Sequence, residues 1–590
     1  MAGLEKRFNR IFYLKIGLIF VTLALAAFWA VSGARGHNTP VNYLGCAITV
    51  LGGIFLFILL DIRHHRVIER QKFTAILMEI NEASLKRLDG RWNGFADSGA
   101  EFMEVQHPYS HDLDLFGPNS LFQWINVANT FLGRRRLAHW IGSFPAATAD
   151  IMARQEAIEE LAQSLSWRQR FSAHGIAVAT RLKDPAHLFQ WAQERNPLFT
   201  RRSVIWLLRF LSLTTVGALV IFFGFRRLPF YLPLFLFLVH LVLMKIGRKK
   251  REAILVTAAA YQQDLALYKD LIRAVETRKF HSPLLKNLQS RLRPAAGGMA
   301  SDQLRRLEKI VDAIANRNNA FFALINVITL WDYHCLIALE KWKAEAGRQL
   351  ALWLETLGRF EALASLAIVN CDHPDWARPA LAAEPCRYFA KDLGHPLLTE
   401  DRRVVNDLQI EPPTQTLLIT GSNMSGKSTY LRTAGINLVL AYAGARVCAR
   451  ECRCSPMRIF TCMRVSDNLE QNISSFYAEI LRIKMIVQAA AEFPVFFLLD
   501  EIFKGTNSVD RHNGAKILIH KLIRHHAVGL VSTHDLELGE LAAENRTVQN
   551  YHFQEFYEND QLRFDYRLRS GISTTRNALH LMKLAGITFD

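Results

Sequence analysis

A short apolar β run, Thr416-Leu-Leu-Ile-Thr420, passes without a linker into Gly421-Ser-Asn-Met-Ser-Gly426-Lys427-Ser428-Thr429. This is G-x4-G-K-[ST] in the strand–loop–helix setting that its chemistry requires. The glycines let the loop wrap until the backbone N–H groups of Gly421, Ser422, Asn423, Met424, Ser425 and Gly426 face a phosphate chain. Lys427 brings charge to the β- and γ-phosphates, Ser428 offers its hydroxyl to Mg²⁺, and Thr429 opens the helix. ATP and Mg²⁺ are the expected ligands. A strand feeding a helix through such a loop commits this part of the chain to an α/β sheet.

A second apolar strand follows about 70 residues later. Val495-Phe-Phe-Leu-Leu499 ends in Asp500-Glu501, a carboxylate pair that would be costly at the end of a buried strand without a task. Asp500 can hold Mg²⁺ through water, and Glu501 can polarise an attacking water. A third strand, Val528-Gly-Leu-Val-Ser532, ends in Thr533-His534-Asp535, where His534 can reach the γ-phosphate; a plain surface histidine is the alternative.

Elsewhere the chain is strongly apolar: half of its residues are hydrophobic, and the mean hydropathy of +0.07 is high for a soluble protein. Residues 16–32 and 43–60 form one pair of apolar runs, and 210–225 and 230–246 form another, the second pair joined by Arg226-Arg227-Leu228-Pro229. Each approaches the roughly 20 residues that cross a bilayer. A cleaved signal peptide is the rival for the first run, and buried core helices are the rival for the second pair. Lys6, Arg7, Arg10 and Lys15 precede the first pair, and Arg63, Arg66, Arg70 and Lys72 follow it. Arg201 and Arg202 precede the second, and Arg248, Lys249, Lys250 and Arg251 follow it. Positive flanks face the cytoplasm. The expectation is a multi-pass protein of the plasma or inner membrane with four spans, its ATPase region and both termini cytoplasmic; Arg226 and Arg227 run against it. The net charge of +17 fits a polyanionic partner, but membrane flanks explain it equally well.

The expected organisation is a hairpin at 1–72, a helical region at 73–200, a second hairpin at 201–250, a further helical region at 251–385 and an α/β domain at 386–590. Within the helical parts, Asp150 reads as an N-cap, and 304–367 as two long antiparallel helices. Cys448, Cys452 and Cys454 have the spacing C-x3-C-x-C, which is not a familiar zinc pattern, so they read as ordinary reduced cysteines.

Together these motifs resemble those of the MutS family. Gly421–Arg432 is similar to that family's Walker A and following helix. Asp500-Glu-Ile-Phe-Lys-Gly-Thr-Asn-Ser-Val-Asp510 is similar to its Walker B and D-loop, and Ser532-Thr-His-Asp535 to its switch histidine. Ser474-Ser-Phe-Tyr-Ala-Glu479 resembles the segment that stands in for the ABC signature. Gly394-His-Pro396 with Asn406-Asp407 resembles the approach to the ATPase strand. Weaker likeness runs through Leu115-Phe116, Asn129-Thr130, Gly133-Arg-Arg-Arg-Leu137 and Arg154-Gln-Glu-Ala157. The resemblance covers about 113–200 and 300–590. It implies a fold class of an α/β P-loop (ABC-type) ATPase domain following an all-α core or lever domain, here joined by two transmembrane hairpins. It also implies a homodimer in which each ATP site takes Ser474 and Ser475 from the partner, and binding of mismatched, damaged or branched DNA through helical levers.

The departures bear on that last implication. Mismatch readers carry an N-terminal domain with an F-x-E wedge. Here the N-terminal segment is the apolar hairpin, and Phe102-Met-Glu104 and Phe553-Gln-Glu555 match only by letter. The second hairpin falls where the levers would extend toward DNA. A membrane-bound mechanochemical ATPase acting on a protein partner therefore stays open, as does, more remotely, an ABC exporter subunit.

Overall fold

The computed structural model describes residues 2–34, 40–178, 184–294, 297–318, 320–384, 386–422, 424–464, 475–558 and 561–572. Contacts divide the chain into two units, Met1–Leu85 with Gln169–Ala179, and Lys86–Arg168 with Thr180–Asp590.

In the first unit the helices Ala2–Ala34 and Pro40–Leu88 pack closely because glycine lines their contact. A Cβ on Gly45 would stand 2.9 Å from the Trp29 ring, and one on Gly53 would meet Thr22. Lys15 Nζ lies 2.6 Å from Asp61 Oδ1, so these two charges neutralise one another. The segments Gly3–Ser32 and Leu44–Leu88 have mean hydropathies of 2.2 and 2.3 in their most apolar stretches, none of which is buried.

The second unit begins as helices. Arg202–Val220 continues through a π-helical turn, Ile221–Phe225, and Arg226 closes it in the left-handed region at φ 51°. Tyr231–Lys245 then runs for only 15 residues before the axis turns by 73° into Arg248–Ala260. Among the described residues, three helices are long and apolar enough to cross a membrane, or five if each of two bent pairs counts as one span. The second bent pair, Phe322–Thr329 with Trp331–Ala346, lies outside the four spans expected from the sequence.

The 304–367 stretch is not two long helices. It is broken into pieces of Ala300–Ala315, Ala320–Thr329, Trp331–Ala346 and Leu350–Asp372. Leu330 takes φ 51°, which an α-helix cannot propagate, and Gly347 sits so close to the Ala192 carbonyl that a Cβ would overlap it. Asp150 is likewise not a cap. The helix is Thr148–Ala162 and Ala147 precedes it with no side-chain cap, so Asp150 acts in the first turn, where a negative charge favours the helix dipole.

The weaker sequence likenesses mark joints between helices. Thr130 caps the helix Phe131–Gly142, its Oγ1 accepting from Gly133 N at 3.1 Å. The backbone N–H groups of Asn129 and Thr130 donate to Glu361 on Leu350–Asp372, at 2.9 and 3.2 Å. Gly133 is needed there, because a Cβ would strike the Glu361 carboxylate. Arg154 donates to the Tyr442 carbonyl at 2.7 Å, capping the helix that follows the phosphate loop. Leu115 is fully buried, and the neighbouring Asp112 accepts from Thr461 Oγ1 at 2.6 Å at the edge of the large sheet.

The strands are β1 (Ala380–Leu381), β2 (Tyr388–Leu393), β3 (Asn406–Ile410), β4 (Thr416–Thr420), β5 (Glu451–Cys454), β6 (Arg458–Cys462), β7 (Val495–Asp500), β8 (Val528–Thr533), β9 (Val548–Glu558) and β10 (Gln561–Ser570). A four-stranded sheet runs β1-β5-β2-β3 and a six-stranded one β10-β9-β4-β8-β7-β6. In the larger sheet β9, β4, β8, β7 and β6 are parallel, and β10 is antiparallel to β9. The central strands β4, β7 and β8 are buried almost end to end, as in parallel sheets covered on both faces. Gly529 on β8 is forced, since a Cβ would stand 2.0 Å from the Phe497 carbonyl on β7. The cysteines Cys448, Cys452, Cys454 and Cys462 are buried free thiols at and between these sheets.

Candidate nucleotide-binding site

Sheet order places the chemistry. β8 lies between β4 and β7, with Thr420 in register with Thr533 and Asp500 with Ser532. The phosphate loop, the Asp500-Glu501 pair and His534 therefore leave the same carboxyl edge on adjacent strands. Ligands in open parallel sheets bind at such an edge.

The loop is held in shapes that its glycines permit. Gly421 and Gly426 have φ of 146° and 104°, and Met424 takes 68°. Beside Gly426 a Cβ would stand 3.0 Å from the Tyr566 ring, so the loop and β10 can approach this closely only with glycine there. The helix Lys427–Ala443 starts immediately, aiming its free N–H groups into the loop. Lys427 is 4% exposed, and its Nζ is turned onto the loop's own carbonyls, Gly421 O and Ser422 O, at 2.9 Å each. Burial pushes its pKa down, and Glu501, 3.9 Å away, opposes that shift. The Ser425 hydroxyl is buried with no hydrogen-bond partner among the described residues. A desolvated cation folded onto its own loop carbonyls and a hydroxyl without a partner are both groups that phosphate oxygens would satisfy. This is the test that the residues pass for a phosphate chain.

A cavity of about 750 Å³ adjoins the loop. Met424, Ser425, Gly426, Lys427, Ser428 and Thr429 line it, with Glu501 at one side and His395, Phe553 and Tyr566 around the rest. Phe564 stacks on Tyr566 at 6.0 Å between centroids, backing an aromatic wall suited to a flat base. Burial, with Arg432 adding to it, lowers the His395 pKa to about 4, so the imidazole is neutral at pH 7 and serves as a polar wall without charge.

Glu501 sits at φ 51°, a strained angle for a glutamate. Its carboxylate is bonded to His534 Nε2 and lies 2.9 Å from Lys504 Nζ. The hydrogen bond to His534, with Lys504 assisting against burial, holds its pKa at about 2. Glu501 is thus a fixed carboxylate at neutral pH. Asp500 is bonded to Ser532 Oγ on β8, which orients it along the sheet edge. Next to His534, Asp535 Oδ2 lies 2.7 Å from His512 Nδ1.

The structure therefore brings Lys427, Glu501 and His534 together, places Ser428 in the cavity wall and leaves Asp500 on the neighbouring strand end. Gly421 and Ser422 stand behind the wall. Asn423 and Ser474 lie outside the described residues, and of Ser475 only the start of the helix Ser475–Glu492 is described. Sequence reasoning missed Lys504, Tyr566 and Glu555. Glu555 is 4% exposed and accepts from Ser422 Oγ at 2.7 Å, fastening the phosphate loop to β9. Its place in Phe553-Gln-Glu555, on a strand that also carries Gln549, Asn550, His552, Gln554 and Glu558, gave no local sign of this contact.

A phosphate loop leaving the middle of a parallel sheet, with an Asp-Glu pair two strands away on the same edge, defines a P-loop nucleotide-binding domain. Residues 417–589 match the family model described as MutS domain V. The chain is 30% identical over 262 residues to a DNA mismatch repair protein MutS 2 of Halobacterium salinarum, covering 43% of this chain and 30% of that one. It is 28% identical over 282 residues to a DNA mismatch repair protein MutS of Persephonella marina, covering 47% of this chain and 32% of that one. Through its nucleotide-binding region the chain is similar to the MutS family. It spans about 30% of the length of these curated relatives.

Proposed function

We propose that this is a membrane-anchored ATPase that binds and hydrolyses Mg·ATP as a homodimer and transmits the cycle through its helices to DNA. The single observation that carries the ATPase reading is the Lys427–Glu501–His534 cluster beside a cavity lined by the phosphate loop. In it, Lys427 exchanges its two loop carbonyls for phosphate oxygens. Ser428 and Asp500 are the residues that would hold Mg²⁺, which neutralises phosphate charge. Glu501, kept ionised, orients and deprotonates the attacking water, and His534 fixes Glu501 and reaches toward the terminal phosphate. Ser474 and Ser475 of a second copy complete the site. Support for DNA as partner comes from the relatives' names and from the +17 charge. Support for the membrane comes from the exposed apolar helices.

One observation favours a second reading, a mechanochemical ATPase acting on a protein. The relatives match less than half of the chain and the family model only residues 417–589, while an apolar hairpin interrupts the helical region. ATP turnover of the detergent-solubilised full chain, with and without duplex, mismatched or four-way-junction DNA, separates the two. The DNA reading expects stimulation and binding that weakens steeply with salt. Unchanged turnover with no salt-dependent binding leaves the protein-directed ATPase.

A further inference from the structure

Residues 320–329, Ala-Phe-Phe-Ala-Leu-Ile-Asn-Val-Ile-Thr, carry no charge, yet they lie in a region expected to be a water-borne lever. The helix Ala320–Thr329 packs against both helices of the second apolar pair, Arg202–Val220 and Tyr231–Lys245. Leu324 and Ile325 remain 59% and 41% exposed, as Phe235 and Leu238 do on the neighbouring helix.

The decisive feature is how its end is closed. A helix that stops leaves carbonyls without partners, and water normally takes them. Here side chains from other helices do so. His240 is fully buried and its Nδ1 donates to Val327 O at 2.7 Å, while Ser212 Oγ lies 2.8 Å from Thr329 O. Thr329 Oγ1 returns to Ile325 O at 2.7 Å, and Asn326 Oδ1 accepts from Asp332 N, 3.0 Å away at the start of the next helix. The bent end of Tyr231–Lys245 is closed in the same manner. Tyr333 OH donates to Leu243 O at 2.7 Å, and Arg251 donates to Met244 O and Ile246 O at 2.5 and 3.1 Å. At each break, side chains from other helices take carbonyls that the helix end leaves open. Irregular backbone survives at membrane depth only when protein satisfies it in this manner.

We propose that Ala320–Thr329 is a membrane-embedded half-helix. It enters the hydrocarbon beside the second hairpin, bends by 73° at Leu330, and has lipid acyl chains over Leu324 and Ile325. This rests on the reading of the second hairpin as membrane-inserted. Its consequence is mechanical. The half-helix leads through Trp331–Ala346 to Leu350–Asp372, whose Glu361 holds Asn129 and Thr130, so the helical frame of the ATPase is fastened to the bilayer from within its own sequence.

The test is spin-label accessibility in the full chain reconstituted into phosphatidylethanolamine–phosphatidylglycerol vesicles, with the partly exposed Cys46, Cys371 and Cys386 changed to serine. Labels go on Leu324→Cys, on Phe235→Cys as the hairpin reference, and on Val105→Cys, 83% exposed, as the aqueous reference. The proposal expects oxygen to relax the labels at 324 and 235 more than a water-soluble nickel complex does, with the reverse at 105. Lipid exposure at 235 with water exposure at 324 overturns the half-helix and leaves the hairpin. Shielding of 324 from both relaxants overturns it in favour of a protein cover, either a second copy or a partner. Water exposure at both 324 and 235 overturns the half-helix and the membrane reading of the hairpin together. If Leu324→Cys fails to assemble, Ile325→Cys reports on the same exposed segment.

Discussion

Two regions of this chain draw polar side chains into its interior and treat them in opposite ways. Around the phosphate loop, polar groups are left wanting. Lys427 turns back on its own loop, the Ser425 hydroxyl has no partner among the described residues, and Glu501 is held ionised in a strained conformation. Around Leu330 polar groups are matched: His240, Ser212, Tyr333 and Arg251 meet the carbonyls that two helix breaks leave open. Open polar groups at a sheet edge mark a place that awaits a ligand. Closed ones among apolar helices mark a structure built without help from water.

The largest effect short of losing catalysis is expected at Lys427. Lys427→Ala removes a charge-assisted contact to two phosphates, each worth about 1.5–3 kcal/mol, and should weaken ATP binding by roughly 100-fold or more in equilibrium dialysis. Unchanged affinity would erase the contrast, since the lysine would then be as self-satisfied as the Leu330 cluster. Next, His534→Gln removes the leading cause of Glu501's low pKa. In the native chain the carboxylate stays ionised down to about pH 2, so Glu501 imposes no acid limb on turnover at moderate pH. In the variant its pKa rises toward the usual 4.5, and the acid limb of the pH–rate profile should move up with it.

A third prediction concerns a buried carboxyl in the helical frame. Burial raises the Glu361 pKa to about 7 despite the hydrogen bonds from Thr130 and Asn129. A folded-state pKa above the unfolded value gives stability that is complete below about 4.5 and lost as pH rises through about 7. The melting temperature should fall by several degrees between pH 5 and 8, and Glu361→Gln should flatten that slope. The smallest effect is expected at Ser212→Ala, because hydrogen bonds between helices in a membrane average only about 0.6 kcal/mol. A loss several times larger in a detergent-denaturation titration would mean that the Leu330 cluster is as poised as the phosphate loop.

Legibility in the sequence differs between the regions for a physical reason. The β4 strand, its loop and the Asp500-Glu501 pair are local signals, in which neighbouring residues carry both the element and its chemistry. Their arrangement on one sheet edge follows from strand order, and β4, β8 and β7 come out adjacent. Glu555 and Tyr566 reach the loop from β9 and β10, more than 130 residues away, and nothing local marks them. The break at Leu330 was hidden because its helix-ending angle is held by His240 and Ser212, partners distant in sequence. An apolar run with helical spacing reads as continuous when those caps are unseen.

The most direct test of the account is Glu501→Gln, made in the full chain and assayed for both ATP binding and single-turnover hydrolysis. The fixed carboxylate reading predicts that hydrolysis falls by about 10²- to 10⁴-fold, with ATP affinity unchanged because Lys427 and the loop remain. Hydrolysis at the native rate, or loss of binding in parallel with turnover, would contradict the assignment of Glu501 as the base and with it the proposed site.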